Sequence, residues 1–257
     1  VTTLTVTATQ GTSSATGMLM RIRVLTGAAA AAAQTGGSVA AGGGATSSVN
    51  ITTTVAGSLV YGALGNQGSC ATGEPSTTIV DNFDDTVAGQ WYGSYRTTAV
   101  TGTPGVTLVG STVSNGFGSI AAQEILASGT IAEDASAPAV VSSNSLTALT
   151  SASFTPPPGS LIAVMIQCDG TASGFETCTV TDTGGGLTWA QKANTSAISG
   201  CLYAGVWIAD VPASAAASAQ SALVQRGRLR RNRGRGRRQQ LQVNPGRPGF
   251  EGWGHPL

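Results

Sequence analysis

The sequence predicts an all-β protein, an antiparallel β-sandwich or jelly roll, on three observations. Apolar and hydroxyl-bearing residues alternate in many short runs, as half-buried strands require. Glycine, proline and asparagine separate those runs and supply the turn chemistry between strands. Polarity comes from Thr and Ser, with 41% apolar and only 10% charged residues, where an average globular chain is roughly 25% charged. Disordered chains combine low hydrophobicity with high charge, so this body should fold.

The elements follow in order. Leu4-Thr5-Val6-Thr7 alternates as a strand. The next run sets Met18, Met20, Ile22 and Val24 on one face and Arg21 and Arg23 on the other. Ala28 to Ala33 has helical composition, but the neighbouring glycines limit it to one turn or an Ala/Gly loop. Val49 to Val55 and Leu59-Val60-Tyr61 read as strands about the Gly57-Ser58 turn. Trp91 to Arg96 and Val106 to Val109 follow. Ser119 to Leu126 reads as a short helix or a strand. Leu161 to Ile166, Thr177 to Thr181, Leu187-Thr188-Trp189 and Leu202 to Ile208 complete the series, with turns at Pro158-Gly159 and Gly184-Gly185-Gly186.

Thr52 to Trp91 and Ser153 to Trp189 share one layout: strand, Gly-Ser turn, apolar strand, polar loop, Asp-containing strand end and aromatic strand. The layout reads as a weak internal repeat or as ordinary hairpins. The Ala/Pro/Ser stretch over 135–145 is the natural junction. It divides a first β part over 1–134 from a second over 146–212 that completes or follows it, with an Ala/Ser linker and Arg-rich tail over 213–257.

Gly159-Ser160-Leu161-Ile162-Ala163-Val164-Met165-Ile166, with Val180-Thr181-Asp182-Thr183-Gly184 and Leu187-Thr188-Trp189, resembles uncharacterised Thr/Gly/Ala-rich β-sandwich modules of actinobacterial secreted or phage tail-associated proteins. Residues 18–33 and 52–64 resemble the later half of such modules. The two halves therefore stand here in permuted order, and the resemblance spans residues 4–211. It implies a structural role on a secreted or virion surface, with host or glycan attachment, and it carries no catalytic residues over to this chain. Half a sandwich leaves an apolar face and open edges, so the two halves must close on each other or chains must pair.

The chain's only histidine is His255, which disfavours imidazole-based hydrolysis and most zinc chemistry in the body. The expectation is a non-enzymatic protein. A carboxylate pair from Asp81, Glu124 or Glu176 is the alternative, since glycosidases need two acids across a sugar. Asp81, Asp84 and Asp85 form the densest acidic group; in a loop they are candidate calcium ligands or solvated turn caps. No other cofactor is expected.

Four cysteines, Cys70, Cys168, Cys178 and Cys201, fit two disulfides in a secreted protein, with connectivity open. Cys168 and Cys178 flank a Gly/Ser/Thr loop as a hairpin staple would; Cys201 is an alternative partner. Trp91, Tyr92, Tyr95, Tyr203 and Trp207 are either core aromatics or a platform for a glycan or protein partner. Asn50-Ile51-Thr52 and Asn194-Thr195-Ser196 match glycosylation sequons.

Charge is divided along the chain. Residues 1–225 carry four cations against eleven acids, whereas residues 226–257 carry nine arginines against Glu251. Arg226, Arg228, Arg230, Arg231, Arg233, Arg235, Arg237 and Arg238 form a segment that repels itself and is expected to be disordered. It would bind nucleic acid or another polyanion in a salt-dependent way. The same break in pattern after Val211-Pro212 would also arise from an out-of-frame or truncated reading. No apolar run is long enough to span a membrane as a helix. Val1 opens directly into a strand-like run without a signal segment. Composition and cysteines alone favour an extracellular or virion location, and self-association is compatible with the open edges.

Overall fold

The computed structural model describes residues 2–11, 15–29, 35–41, 45–67, 79–85, 90–97, 105–113, 117–170, 177–196 and 202–213. They belong to a unit spanning Val1–Ala213. In chain order the strands are β1 Thr5–Gln10, β2 Ala15–Ala29, β3 Thr35–Ala41, β4 Ala45–Thr52, β5 Leu59–Gln67, β6 Ile79–Asp85, β7 Gln90–Arg96 and β8 Gly105–Val113. They continue as β9 Phe117–Glu133, β10 Val141–Ser143, β11 Ala148–Thr150, β12 Leu161–Gly170, β13 Cys178–Thr183, β14 Ala190–Ser196 and β15 Leu202–Asp210.

The fold is all-β, built from packed antiparallel sheets as a generic sandwich. A three-stranded sheet has the order β11-β1-β13. A ten-stranded sheet runs β14-β15-β12-β2-β9-β5-β7-β6, with β10 beside β2 and β3 beside β9. β4 and β8 form a separate pair. The two parts of the chain interleave: β1 lies between β11 and β13, and β2 pairs with β12 from Ala15 to Leu25.

Alternation decides which residues fill each layer. Val6 and Ala8 of β1 and Val180 of β13 face Met18, Met20, Ile22 and Val24 of β2 and Ile162, Val164 and Ile166 of β12. The opposite faces of β12 and β15 present Ala163, Met165, Ala204 and Val206 to Tyr61 and Ala63 of β5 and to Ala121 and Ile125 of β9. The large sheet therefore turns back on itself. The turn lies where β2 passes from β12 to β9, at a register shift between Thr26 and Ala28. Gly27 has φ 69° there, and a Cβ would collide with the Thr130 carbonyl, so the bend needs glycine. A further layer places Val49 and Ile51 of β4 against Val60, Leu64, Ile120 and Ala122.

β12 is buried at every position from Leu161 to Asp169, which explains its continuous apolar run. Several expectations change. The helical candidate at 119–126 is part of β9; tertiary pairing with β3 and β5 overrides its local propensity. Ala28 and Ala29 end β2, while 30–33 lie outside the described residues. Leu187-Thr188-Trp189 is loop, and the strand begins at Ala190. The expected junction over 135–145 contributes β10, which pairs with Met18, Leu19 and Met20. The shared layout does not extend to pairing. β5, β7 and β6 are neighbours in one sheet, whereas β12 and β13 belong to different sheets.

Candidate functional site

The most elaborated region lies where β12, β13, β14 and β15 meet. Cys168 on β12 and Cys178 on β13 are disulfide-bonded and buried in the core beneath the three-stranded sheet. The bond joins two sheets and is not the hairpin staple expected from spacing, because β12 and β13 belong to different sheets. Cys70 and Cys201 lie outside the described residues.

Tyr203 is 1% exposed and lies across Gly205, where a Cβ would come within 2.6 Å of the ring. Its hydroxyl accepts hydrogen bonds from Gln191 Nε2 at 2.6 Å and Trp207 Nε1 at 3.4 Å. Burial pushes its phenol pKa up. Tyr92 is fully buried with Leu19 and Leu202, its ring laid against Gly17. Neither tyrosine belongs to a solvent-facing platform. Each rests over a glycine because the sheet supplies a slot there. Trp207 is half-buried against the same core as Tyr203, and its polar edge is engaged within the protein. The backbones of Trp91 and Tyr95 pair with Asn66 and Gly62 of β5; their side chains lie outside the described part.

Asp182 organises the loop after β13. Oδ2 accepts from the Gly185 amide at 3.0 Å; Oδ1 accepts from the Leu187 amide at 3.0 Å and Trp189 Nε1 at 2.9 Å. Gly184 and Gly186 adopt φ of 92° and 58°, which L-residues disfavour. The Asp-x-Gly-Gly-Gly-Leu-x-Trp pattern thus has a structural cause. Beside the loop lies an open cleft of about 380 Å³ lined by Leu187, Thr188, Lys192, Ile208 and Asp210 among others. Lys192, the chain's only lysine, is the extra residue of a bulge between Gln191 and Ala193. Sequence reading passed over it, although a register break beside a loop is a recognised way to re-aim a side chain.

The acidic candidates separate. Asp81, Asp84 and Asp85 occupy strand β6, not a loop, with backbones paired to Ser94, Trp91 and Gln90; their side chains lie outside the described part. Pairing with β7 overrides the weak strand propensity of Asp and Asn. Among the described residues no group of three or more His, Cys, Asp or Glu side chains could hold a metal ion. Glu124 is 1% exposed and accepts from the Thr54 amide at 2.6 Å and Thr54 Oγ1 at 3.1 Å, which ties the β4–β5 connection to β9. Glu176, His255 and the whole 226–238 segment lie outside the described residues.

Glu133 joins a second polar group. It receives the Tyr61 hydroxyl at 2.9 Å and pairs with Arg96 at 2.8 Å and Arg23 at 3.4 Å. Burial, reinforced by Glu133, raises the Tyr61 pKa well above the ordinary phenol value. This arrangement secures β2, β5, β7 and β9 to one another.

The outer face of the three-stranded sheet was missed by sequence reading, which took β1 only as half-buried. Register sets Thr7 between Thr150 and Thr181, and Thr9 opposite Thr179. Thr7 and Thr150 hydroxyls hydrogen-bond at 2.9 Å, as do Thr3 and Thr155; Thr5 pairs with Thr183. The signal was the alternate threonines of β1 and β13 together with Thr150 of β11, which mean little until pairing brings the three segments together. Among the described residues no helix is long and apolar enough to cross a membrane. No protein-family model, curated protein or solved structure matches this chain.

Proposed function

We propose that this chain is a non-enzymatic structural or adhesion module of a secreted or virion-surface protein, of the kind its Thr/Gly/Ala-rich segments resemble. The observation that carries the reading is the buried Cys168–Cys178 bond between two sheets, since structural disulfides persist in oxidising surroundings. Layered packing supports it. Both faces of β12 are covered, and Glu124, Glu133 and Asp182 bond to neighbouring elements of the fold. On this reading the partner is a protein surface, a glycan or a second copy. β14 and β6, which end the large sheet, are the edges a second copy would extend.

An antibody against residues 1–213 tests the assignment on the intact source. Labelling of unpermeabilised cells or virions, with a Cys168–Cys178 cross-linked peptide in non-reducing mass spectrometry, is expected. Labelling only after permeabilisation, with both thiols free, would overturn it. The Arg226–Arg238 segment adds a polyanion tether on the same reading. Deleting residues 226–257 is expected to abolish retention on DNA at low salt, and unchanged retention would remove that part.

A further inference from the structure

We propose that the cleft beside the Asp182 loop binds a short apolar peptide with both termini free. β15 runs on past its neighbour there. Ala190, the first residue of β14, stands opposite Ile208, whereas Ala209 and Asp210 have strand partners only in β12 among the described residues. The Val211 amide donates to the Ser160 carbonyl at 2.9 Å, on the β12 side. Backbone groups alternate in direction along a strand, so the N–H and C=O of Asp210 point the other way, into the gap beyond Ala190. The cleft of about 380 Å³ opens at that gap and falls within the size range of small-ligand sites.

Two opposite charges line this cleft without meeting. Lys192 and Asp210 both belong to its wall, yet neither side chain has an ion pair or hydrogen bond among the described residues. Leu187, Ile208 and Pro212 add apolar surface, and no aromatic ring takes part, so the stacking surface that favours a sugar is missing. A free dipeptide supplies the complement. Its carboxylate meets Lys192, its ammonium meets Asp210, its one peptide group meets the Asp210 backbone, and its side chains cover the apolar wall. Direction agrees with charge. β14 runs antiparallel to β15, and a peptide continuing the line of β14 in the same sense sets its carboxylate end toward Lys192 and its amino end toward Asp210.

The cleft is built before any ligand arrives. Asp182 accepts from the Gly185 and Leu187 amides and from the Trp189 indole, which fixes the loop wall. Ile208 is 5% exposed and anchored in the alanine-containing core. The bulge between Gln191 and Ala193 takes Lys192 out of the regular alternation of β14. A wall held in this way loses little freedom on binding.

The proposal goes beyond the surface-module reading, and either can fail alone, because antibody labelling and cross-link mapping do not read this cleft. The test is isothermal titration calorimetry of the full chain with leucyl-leucine, its N-acetyl form and its C-terminal amide. Leucyl-leucine should bind saturably, and blocking either terminus should weaken binding about tenfold or more, the scale of one charge-assisted hydrogen bond. Lys192→Met should bind leucyl-leucine and its amide equally while still preferring a free amino group. Asp210→Asn should do the reverse. Circular dichroism melting confirms that both surface variants are folded. No saturable binding to wild type, or both preferences kept in the folded variants, would overturn the proposal. A neutral oligosaccharide that binds in place of the dipeptide and loses affinity in the same variants would also overturn it and assign the cleft to a glycan.

Discussion

The two faces of β12 lead into different kinds of core. Toward the three-stranded sheet the strand presents Ile162, Val164, Ile166 and Cys168, which meet Met18, Met20 and Phe154. Toward β5 and β9 it presents Leu161, Ala163 and Met165, which meet Ala63, Ala121, Ala193 and Ala204. The first interlayer is filled by long aliphatic chains and a disulfide. The second sets alanines at 63, 121, 163, 193 and 204 among larger residues such as Leu25, Met165 and Ile208, and its margin carries the Tyr61–Glu133–Arg96 group. The difference is one of side-chain size: small residues alternate with large ones in the second interlayer and are nearly absent from the first.

That contrast can be broken at defined points. Ile166→Ala, in the long-chain interlayer, should cost about 4 kcal/mol by transfer loss and cavity formation. Urea denaturation would measure it, and a value near zero would mean that this layer is loosely packed. Paired Cys168→Ser and Cys178→Ser should cost about 3 kcal/mol, chiefly by freeing the unfolded chain. Reducing agent should then destabilise wild type but leave the double variant unchanged. Ala163→Leu should destabilise by about 2 kcal/mol through overpacking. A stabilising effect would show that the layers around Ala163 enclose unfilled space.

The smallest expected effect is alkaline. Tyr61 and Tyr203 have raised folded-state pKa values, so the native protein keeps protons that the unfolded chain releases above roughly pH 10. Their contribution is fully present below that pH and is lost as pH rises through the folded values. Tyr61→Phe and Tyr203→Phe should each flatten the alkaline decline in chemical-denaturation stability. An unchanged slope in both would show that other groups govern it.

The strands legible in the sequence are those whose chemistry is unambiguous. β1 and β2 alternate, β12 is continuously apolar, and β15 carries Tyr203, Gly205 and Trp207 on one face. β3, β6, β9 and β14 were missed or left ambiguous because Gly, Ala, Ser, Asn and Asp dominate them, and only pairing makes such segments strands. Spacing left the cysteine connectivity open, with Cys178 and Cys201 both candidate partners of Cys168, and the bridging of two sheets depended on where β13 goes. Aromatic residues announced themselves without their facing: Tyr92 and Tyr203 required the glycines across from them to be located first. The threonine array needed three segments in register, information that no single window of sequence contains.

The route of the first strand sets a condition on how the molecule is made. β1 hydrogen-bonds on one side to Ala148–Thr150 and on the other to Cys178–Thr183. During synthesis its neighbours do not yet exist until some 140 to 180 further residues have left the ribosome. One edge stays unclaimed until β11 emerges, and the other until β13 does. Such long sequence separations slow folding and prolong exposure of sticky intermediates. Maturation thus waits on the arrival of β13, and a nascent chain stalled before it would leave one side of β1 without its neighbour.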